Sequence, residues 1–152
     1  MGFTVTSKVV NRNHSNYPAH AYMLPKVSIK EVEEAIASPN KLVIDVRAAT
    51  RFRGEIEPID KIAGHIPGAI NIPLTGNLDE KGHFKSSNDL RDFYKKRIES
   101  MDPKDIIVHC GSGVTACHTL LAFDYAGFKI PSLYVGSWSE WSRNNKPIAT
   151  GE

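Results

Sequence analysis

Within "DIIVHCGSGVTACHTLLAFDYAG" (residues 105–127) a short apolar run ends on Cys110, two glycines follow within three residues, and helical spacing resumes near Val114. Cysteine reacts as its thiolate, and a thiolate is favoured at the positive end of a helix. Gly111 and Gly113 permit positive φ, so successive backbone N–H groups can converge on one point above the sulfur. The open amides of the helix start aim at the same point. The chemistry this favours is nucleophilic, a thiolate held in an anion-binding cradle. A plainer reading competes, in which Cys110 is a buried strand-end residue and the glycines only make the turn. Context favours the site, because strand, glycine loop and helix stand in register.

Such a loop needs a strand and a helix to hold its two ends. "KLVIDV" (41–46), "DIIVHC" (105–110) and "PSLYVG" (131–136) are short apolar runs typical of buried parallel strands, and a further short strand is expected around Ala69–Ile72 after the Pro67-Gly68 turn. Between them lie helical patterns. "SIKEVEEAI" opens with the capping-box pair Ser28 and Glu31, and "SSNDLRDFYKKRIES" spaces Leu90, Phe93, Tyr94 and Ile98 along one face. "VTACHTLLAFDYAG" closes on Gly127, with Val114, Cys117, Leu120 and Leu121 as its expected core stripe; "SWSEWSR" is a last short helix. Strands alternating with helices imply an α/β fold around a parallel sheet, in which ligands bind beyond the carboxyl ends of the strands. Cys110 occupies such an end. Residues 1–24 show no periodicity and are expected to form a linker-like arm ahead of a domain at 25–152.

Composition narrows the partners. A net charge of +2, with no lysine or arginine block and no interleaved aromatics, does not suggest nucleic acid. No apolar stretch reaches membrane-spanning length, and "MGFTVTSKVV" lacks the apolar core of a signal peptide. Two cysteines are too few for a disulfide framework, so a reducing, cytoplasmic setting is expected. His109 and His118 flank the loop, but no carboxylate or further cysteine stands at ligand spacing, so neither a metal nor a cofactor is expected.

"HCGSGVTACHTLLAFDYAG", with "GHIPGAINIP" upstream and "GSWSEW" downstream, strongly resembles the rhodanese sulfurtransferase family, over roughly residues 27–152. "CGSGVT" is similar to the active loop of its mercaptopyruvate-using members. The resemblance implies a five-stranded parallel sheet flanked by helices on both faces, with Cys110 as the nucleophile. It further implies that Cys110 takes a sulfane sulfur from 3-mercaptopyruvate or thiosulfate, forms a persulfide, and passes the sulfur to cyanide, a thiol or a thioredoxin-like dithiol. The loop amides of Gly111, Ser112, Gly113, Val114 and Thr115 would cradle the outer sulfur. Ser112 matches a serine that relays a proton to the departing enolate, or is merely a small turn residue.

Anionic donors need a cation, and arginine suits a carboxylate. Family members grip the donor with two arginines. Arg51 matches the first, whereas the second position, within "EPID", reads Ile59. Arg53 is either a substitute or an exposed loop charge. Asp45, Arg47 and His65 match positions with structural roles, and Trp138 and Trp141 are expected in the core. The resemblance is to the second half of tandem enzymes, so a second rhodanese-like domain or a homodimer partner would complete the groove. Two further functions compete. One is a persulfide carrier or docking module with little turnover alone. The other is a cysteine phosphatase, which needs an arginine closing the loop where Thr115 and Ala116 stand here.

Overall fold

The computed structural model describes residues 4–18 and 23–152. The remainder of the 1–24 arm, residues 1–3 and 19–22, lies outside the described residues. Residues 4–18 carry no helix or strand and are exposed throughout. Pro25 ties the chain to the domain, its carbonyl accepting the Leu133 amide at 3.0 Å.

Five strands form one sheet: β1 (Lys26–Val27), β2 (Leu42–Asp45), β3 (Ile70–Asn71), β4 (Ile106–His109) and β5 (Ser132–Tyr134). Their order is β1-β5-β4-β2-β3 and every pairing is parallel. The central pair aligns Leu42 with Ile106 through to Asp45 with His109. Helices α1 (Ile29–Ile36), α2 (Ala49–Phe52), α3 (Ser87–Ile98), α4 (Val114–Tyr125) and α5 (Ser137–Arg143) supply the outer layers. The Ser28–Glu31 capping box forms as the spacing indicates, with both reciprocal bonds present.

Period-two alternation splits the strands between two cores. Ile44, Ile106 and Val108 face a core with Leu90, Tyr94 and Ile98 of α3 and Ala116, Leu120 and Phe123 of α4. Val43 and Ile107 face the other, with Val32 and Ala35 of α1 and Trp138 and Trp141 of α5. Helices thus cover both faces, and both tryptophans are fully buried, their ring N–H groups donating to the carbonyls of Ile62 (3.0 Å) and Pro147 (2.8 Å).

Of the stripe expected on α4, Leu120 is buried as expected and the rest is corrected by the structure. Val114 and Leu121 are 73% and 55% exposed, and Cys117 is exposed too, so Cys117 is not a core residue. The face turned to the sheet is Ala116, Thr119, Leu120 and Phe123. Small Ala116 lets the helix start approach β4, and Thr119 is buried because Asn77 donates to its hydroxyl at 3.2 Å. Among the described residues, no helix is long and apolar enough to cross a membrane, and no group of three or more metal-ligating side chains converges.

Candidate active site

Cys110 follows β4 directly at the carboxyl end of the sheet and is 1% exposed. Its backbone is pinned from α5. The Cys110 N–H donates to the Ser137 hydroxyl at 3.2 Å, and that hydroxyl donates to the Tyr134 carbonyl at 2.9 Å. The Cys110 carbonyl accepts the Trp138 amide at 3.0 Å, and the Gly111 carbonyl accepts the Ser139 amide at 2.9 Å. Ser137 sits at φ 53°, in the left-handed region. A serine held there against its preference marks a site where placement outweighs local comfort.

Gly113 makes the turn into α4 with φ 81°, and a methyl group on it would fall 2.6 Å from the Val135 carbonyl oxygen. Only glycine fits. Ser112 is exposed at the crown of the loop, as are Val114 and Thr115, while Gly113 is buried. Among the described residues, the backbone N–H groups of Gly111 through Thr115 donate to no protein acceptor. These amides and the positive end of the twelve-residue α4 form a polar cup with donors but no acceptors to fill it.

Arg51, on α2, faces this cup. A methyl group on Gly111 would stand 3.6 and 3.7 Å from two of its guanidinium nitrogens. Glu57 holds Arg51 from behind in a fork, with Nη2 donating to Oε1 at 2.6 Å and Nε to Oε2 at 3.2 Å. Glu57 also takes Nη1 of Arg47 at 3.2 Å, and Arg47 is itself clasped by Asp45 at 2.7 Å. Burial opposes ionisation of Glu57. The Arg51 hydrogen bonds and the amides of Asp60 and Ile59 outweigh it and hold the carboxyl below the usual range. Asp60, also buried, lies 3.6 Å from Arg51 and accepts from the Ser139 hydroxyl at 2.7 Å.

The other arginine is not brought to the loop. Arg53 pairs with Glu55 at 2.6 Å and lines a separate hollow with Phe52, Ala69 and Asn71. The Ile59 side chain points outward, 73% exposed. Asp45 and Arg47 bind each other and nearby backbone, and His65 stacks on Phe52 at 3.7 Å while bonding the Phe52 carbonyl, as their structural assignment requires. The sequence did not single out Glu57, Asp60, Ser137 or Ser139. The signal available was the place of Ser137 and Ser139 just beyond β5, in "GSWSEW", and of Glu57 and Asp60 in "EPID".

His109 lies fully buried beneath the loop. Its Nδ1 must carry a proton, since it faces the Cys110 carbonyl at 3.1 Å; its Nε2 has no hydrogen-bond partner and stands 3.8 Å from Asp45. Burial pushes its pKa down, opposed by Asp45. As pH falls below about 6.5 the unfolded chain therefore binds a proton that the fold refuses, and stability falls with pH. Denaturation midpoints are expected to drop between about pH 7 and about pH 5.5, with a smaller drop in His109→Asn, which keeps a donor toward the Cys110 carbonyl. Equal drops in both proteins would assign the loss elsewhere.

Residues 28–144 match the model of the rhodanese-like domain. The chain is 43% identical over 122 residues to a probable 3-mercaptopyruvate sulfurtransferase of Pseudomonas aeruginosa, covering 80% of this chain and 43% of that protein. It is 41% identical over 121 residues to the human 3-mercaptopyruvate sulfurtransferase, covering 78% and 40%. The solved 3-mercaptopyruvate sulfurtransferase of Leishmania major superposes with a TM-score of 0.69 at 30% identity, covering 88% of this chain and 36% of the other. The chain thus spans less than half the length of these relatives. The family model covers more than half of the chain, and the chain belongs to the family of rhodanese-like domains.

Proposed function

We propose that this chain, through its domain at 25–152, is a sulfurtransferase that carries sulfane sulfur from 3-mercaptopyruvate or thiosulfate to a thiophilic acceptor through a persulfide on Cys110. One observation carries the reading. The cup above Cys110 offers backbone N–H groups from Gly111 to Thr115 and no basic side chain of its own, which suits a small sulfur anion. A phosphoryl group would want an arginine closing the loop.

In the first half-reaction the Cys110 thiolate attacks the outer sulfur of thiosulfate. The sulfur–sulfur bond of the donor breaks, and sulfite leaves with the electron pair. With 3-mercaptopyruvate the carbon–sulfur bond breaks instead, and the pyruvate enolate leaves and is protonated. Ser112, exposed above the cup, is the residue we assign to pass that proton. The outer sulfur then rests against the loop amides, which stabilise its charge as preorganised dipoles. In the second half-reaction cyanide, a thiol or a dithiol attacks that sulfur, the cysteine–sulfur bond breaks, and the thiolate returns. No cofactor enters either step. Further groups for the proton relay would come from a second rhodanese-like domain or a second copy of the chain, in a reducing, cytoplasmic setting.

Arg51 is the cation we assign to the donor's anionic end. Its fork already faces Glu57, so it offers its remaining N–H groups toward Gly111. Thiocyanate formation from cyanide measures turnover with each donor. Arg51→Lys is expected to lower kcat/KM for both donors about tenfold, since lysine keeps the charge but not the planar fork. An unchanged kcat/KM would remove Arg51 from donor binding. The pairing of Arg51 with two carboxylates also favours a second reading, a persulfide carrier that turns over poorly without a partner. A rate that depends on a protein acceptor while persulfide formation stays slow would support it.

A further inference from the structure

Beside the cysteine loop lies a buried carboxylate that the half-reactions above leave without a task. The Asp60 side chain is 1% exposed, and its Oδ2 has no hydrogen-bond partner. Two arginines approach it from different segments. Arg51 of α2 stands 3.6 Å from Oδ2, and Arg143 of α5 stands 3.7 Å from Oδ1. Neither approach is a hydrogen bond, so Asp60 balances both charges without engaging either one closely. Oδ1 is anchored by the Ser139 hydroxyl at 2.7 Å, and the Ser139 amide holds the Gly111 carbonyl at 2.9 Å. Ser139 and Arg143 are four residues apart and share one face of α5. The same helix face that pins the loop therefore carries a cation at its rim. The Arg143 side chain is 68% exposed, free to turn toward an incoming anion while Arg51 stays fixed within.

We propose that Arg143 is the outer cation of the anion site above Cys110, and that Asp60, the carboxylate Arg51 and Arg143 share, sets how strongly the pair attracts an anion. An arriving carboxylate or sulfonate-like group competes with Asp60 for both arginines. Removing the Asp60 charge strengthens the site, and removing Arg143 weakens it. Glu57 and Asp45 stay occupied with Arg47 and Arg51 and do not exchange. That the anion is a sulfur donor rests on the sulfurtransferase reading; the electrostatic claim does not.

The test is the alkylation of Cys110 by iodoacetate, an anion, against iodoacetamide, its neutral counterpart, in a Cys117→Ser background at low salt. The ratio of the two rate constants cancels any change in the thiol itself and reports the local attraction for an anion. Arg143→Gln is expected to lower the ratio about threefold, and Asp60→Asn, which keeps an acceptor for Ser139, to raise it by a similar factor. Lys95→Gln removes the same charge from exposed ground on α3 and is expected to leave the ratio near that of the parent. In turnover, Arg143→Gln is expected to raise KM for thiosulfate and leave kcat in place. A ratio unmoved by Arg143→Gln, a shift equalled by Lys95→Gln, or a Cys110 that neither reagent modifies would overturn the proposal. If the ratios move as expected while neither donor leaves a persulfide, the anion site stands and the sulfurtransferase reading falls.

Discussion

Gly113→Ala is expected to lower persulfide formation by about a hundredfold or more, the scale on which an ångström of misplacement costs rate. Two effects combine at this residue. Its φ of 81° is one that alanine resists, and the added methyl would lie 2.6 Å from the Val135 carbonyl oxygen. That oxygen is backbone at the end of β5, so it cannot swing aside as a flexible side chain would. The strain is relieved only by unwinding the start of α4 or lifting the loop, and both scatter the amides that converge above Cys110. Stability should fall by roughly 1–3 kcal/mol from the backbone conformation, with the contact adding to it. Gly82→Ala separates the two effects. Gly82 has a similar φ of 76° but open space around it, so its variant should show the conformational cost alone and turn over normally. A Gly113→Ala protein that matches Gly82→Ala in midpoint and in rate would show that the turn does not shape the site.

Glu57→Ala is expected to be the most destabilising single charge removal near the site, at about 3–5 kcal/mol, a large share of a domain's total. Glu57 is 4% exposed and, among the described residues, is the only carboxylate touching both Arg47 and Arg51, which are 1% and 14% exposed. Without it each guanidinium keeps one carboxylate, and Arg47 is left with an unmet buried donor. Glu57→Gln retains hydrogen-bonding capacity and should cost less, so it serves as the folded comparison. Its acid limb carries the sign of the effect. The folded-state value of Glu57 lies below the ordinary one, so its contribution is present above about pH 4.3 and is lost as pH falls through the depressed value. Denaturant midpoints of Glu57→Gln should therefore fall less steeply in acid than those of the parent chain. Parallel acid limbs would place the stabilising charge elsewhere.

How much of this was legible depended on length and on separation along the chain. β2 and β4 are central strands buried on both faces, so they read as continuous apolar runs. β1 pairs only two residues, too few to show a period, whereas β3, equally short, was marked by the Pro67-Gly68 turn before it. The four-residue α2 hides within a charge-rich loop because it too is short. On α4 the apolar residues run round the helix, so spacing alone fitted both the Val114–Cys117–Leu120–Leu121 stripe and the Ala116–Leu120–Phe123 side. The sheet selected the second because Ala116 and Thr119 are small or can be satisfied there.

At the site, Cys110 and its glycines are contiguous and announce themselves. The groups that position them come from two distant segments. Glu57 and Asp60 look like solvated charges in a polar loop until β2 and β4, lying side by side, bring Arg51, which both carboxylates flank, against Gly111. Ser137 and Ser139 read as ordinary helix residues, and their bonds to Cys110 and Gly111 exist only because β5 follows β4 in the sheet. Exposed Ile59 shows the converse, a position that the family resemblance nominates and the fold turns outward.

The claim on which the rest depends is that Cys110 carries a sulfane sulfur. Intact mass after brief exposure to 3-mercaptopyruvate, and separately to thiosulfate, tests it most directly, with Cys110→Ser and Cys117→Ser alongside. The account predicts a gain of one sulfur in the parent chain and in Cys117→Ser, lost on addition of cyanide, and no gain in Cys110→Ser. A sulfur retained by Cys110→Ser, or none taken up by the parent chain from either donor, would contradict it.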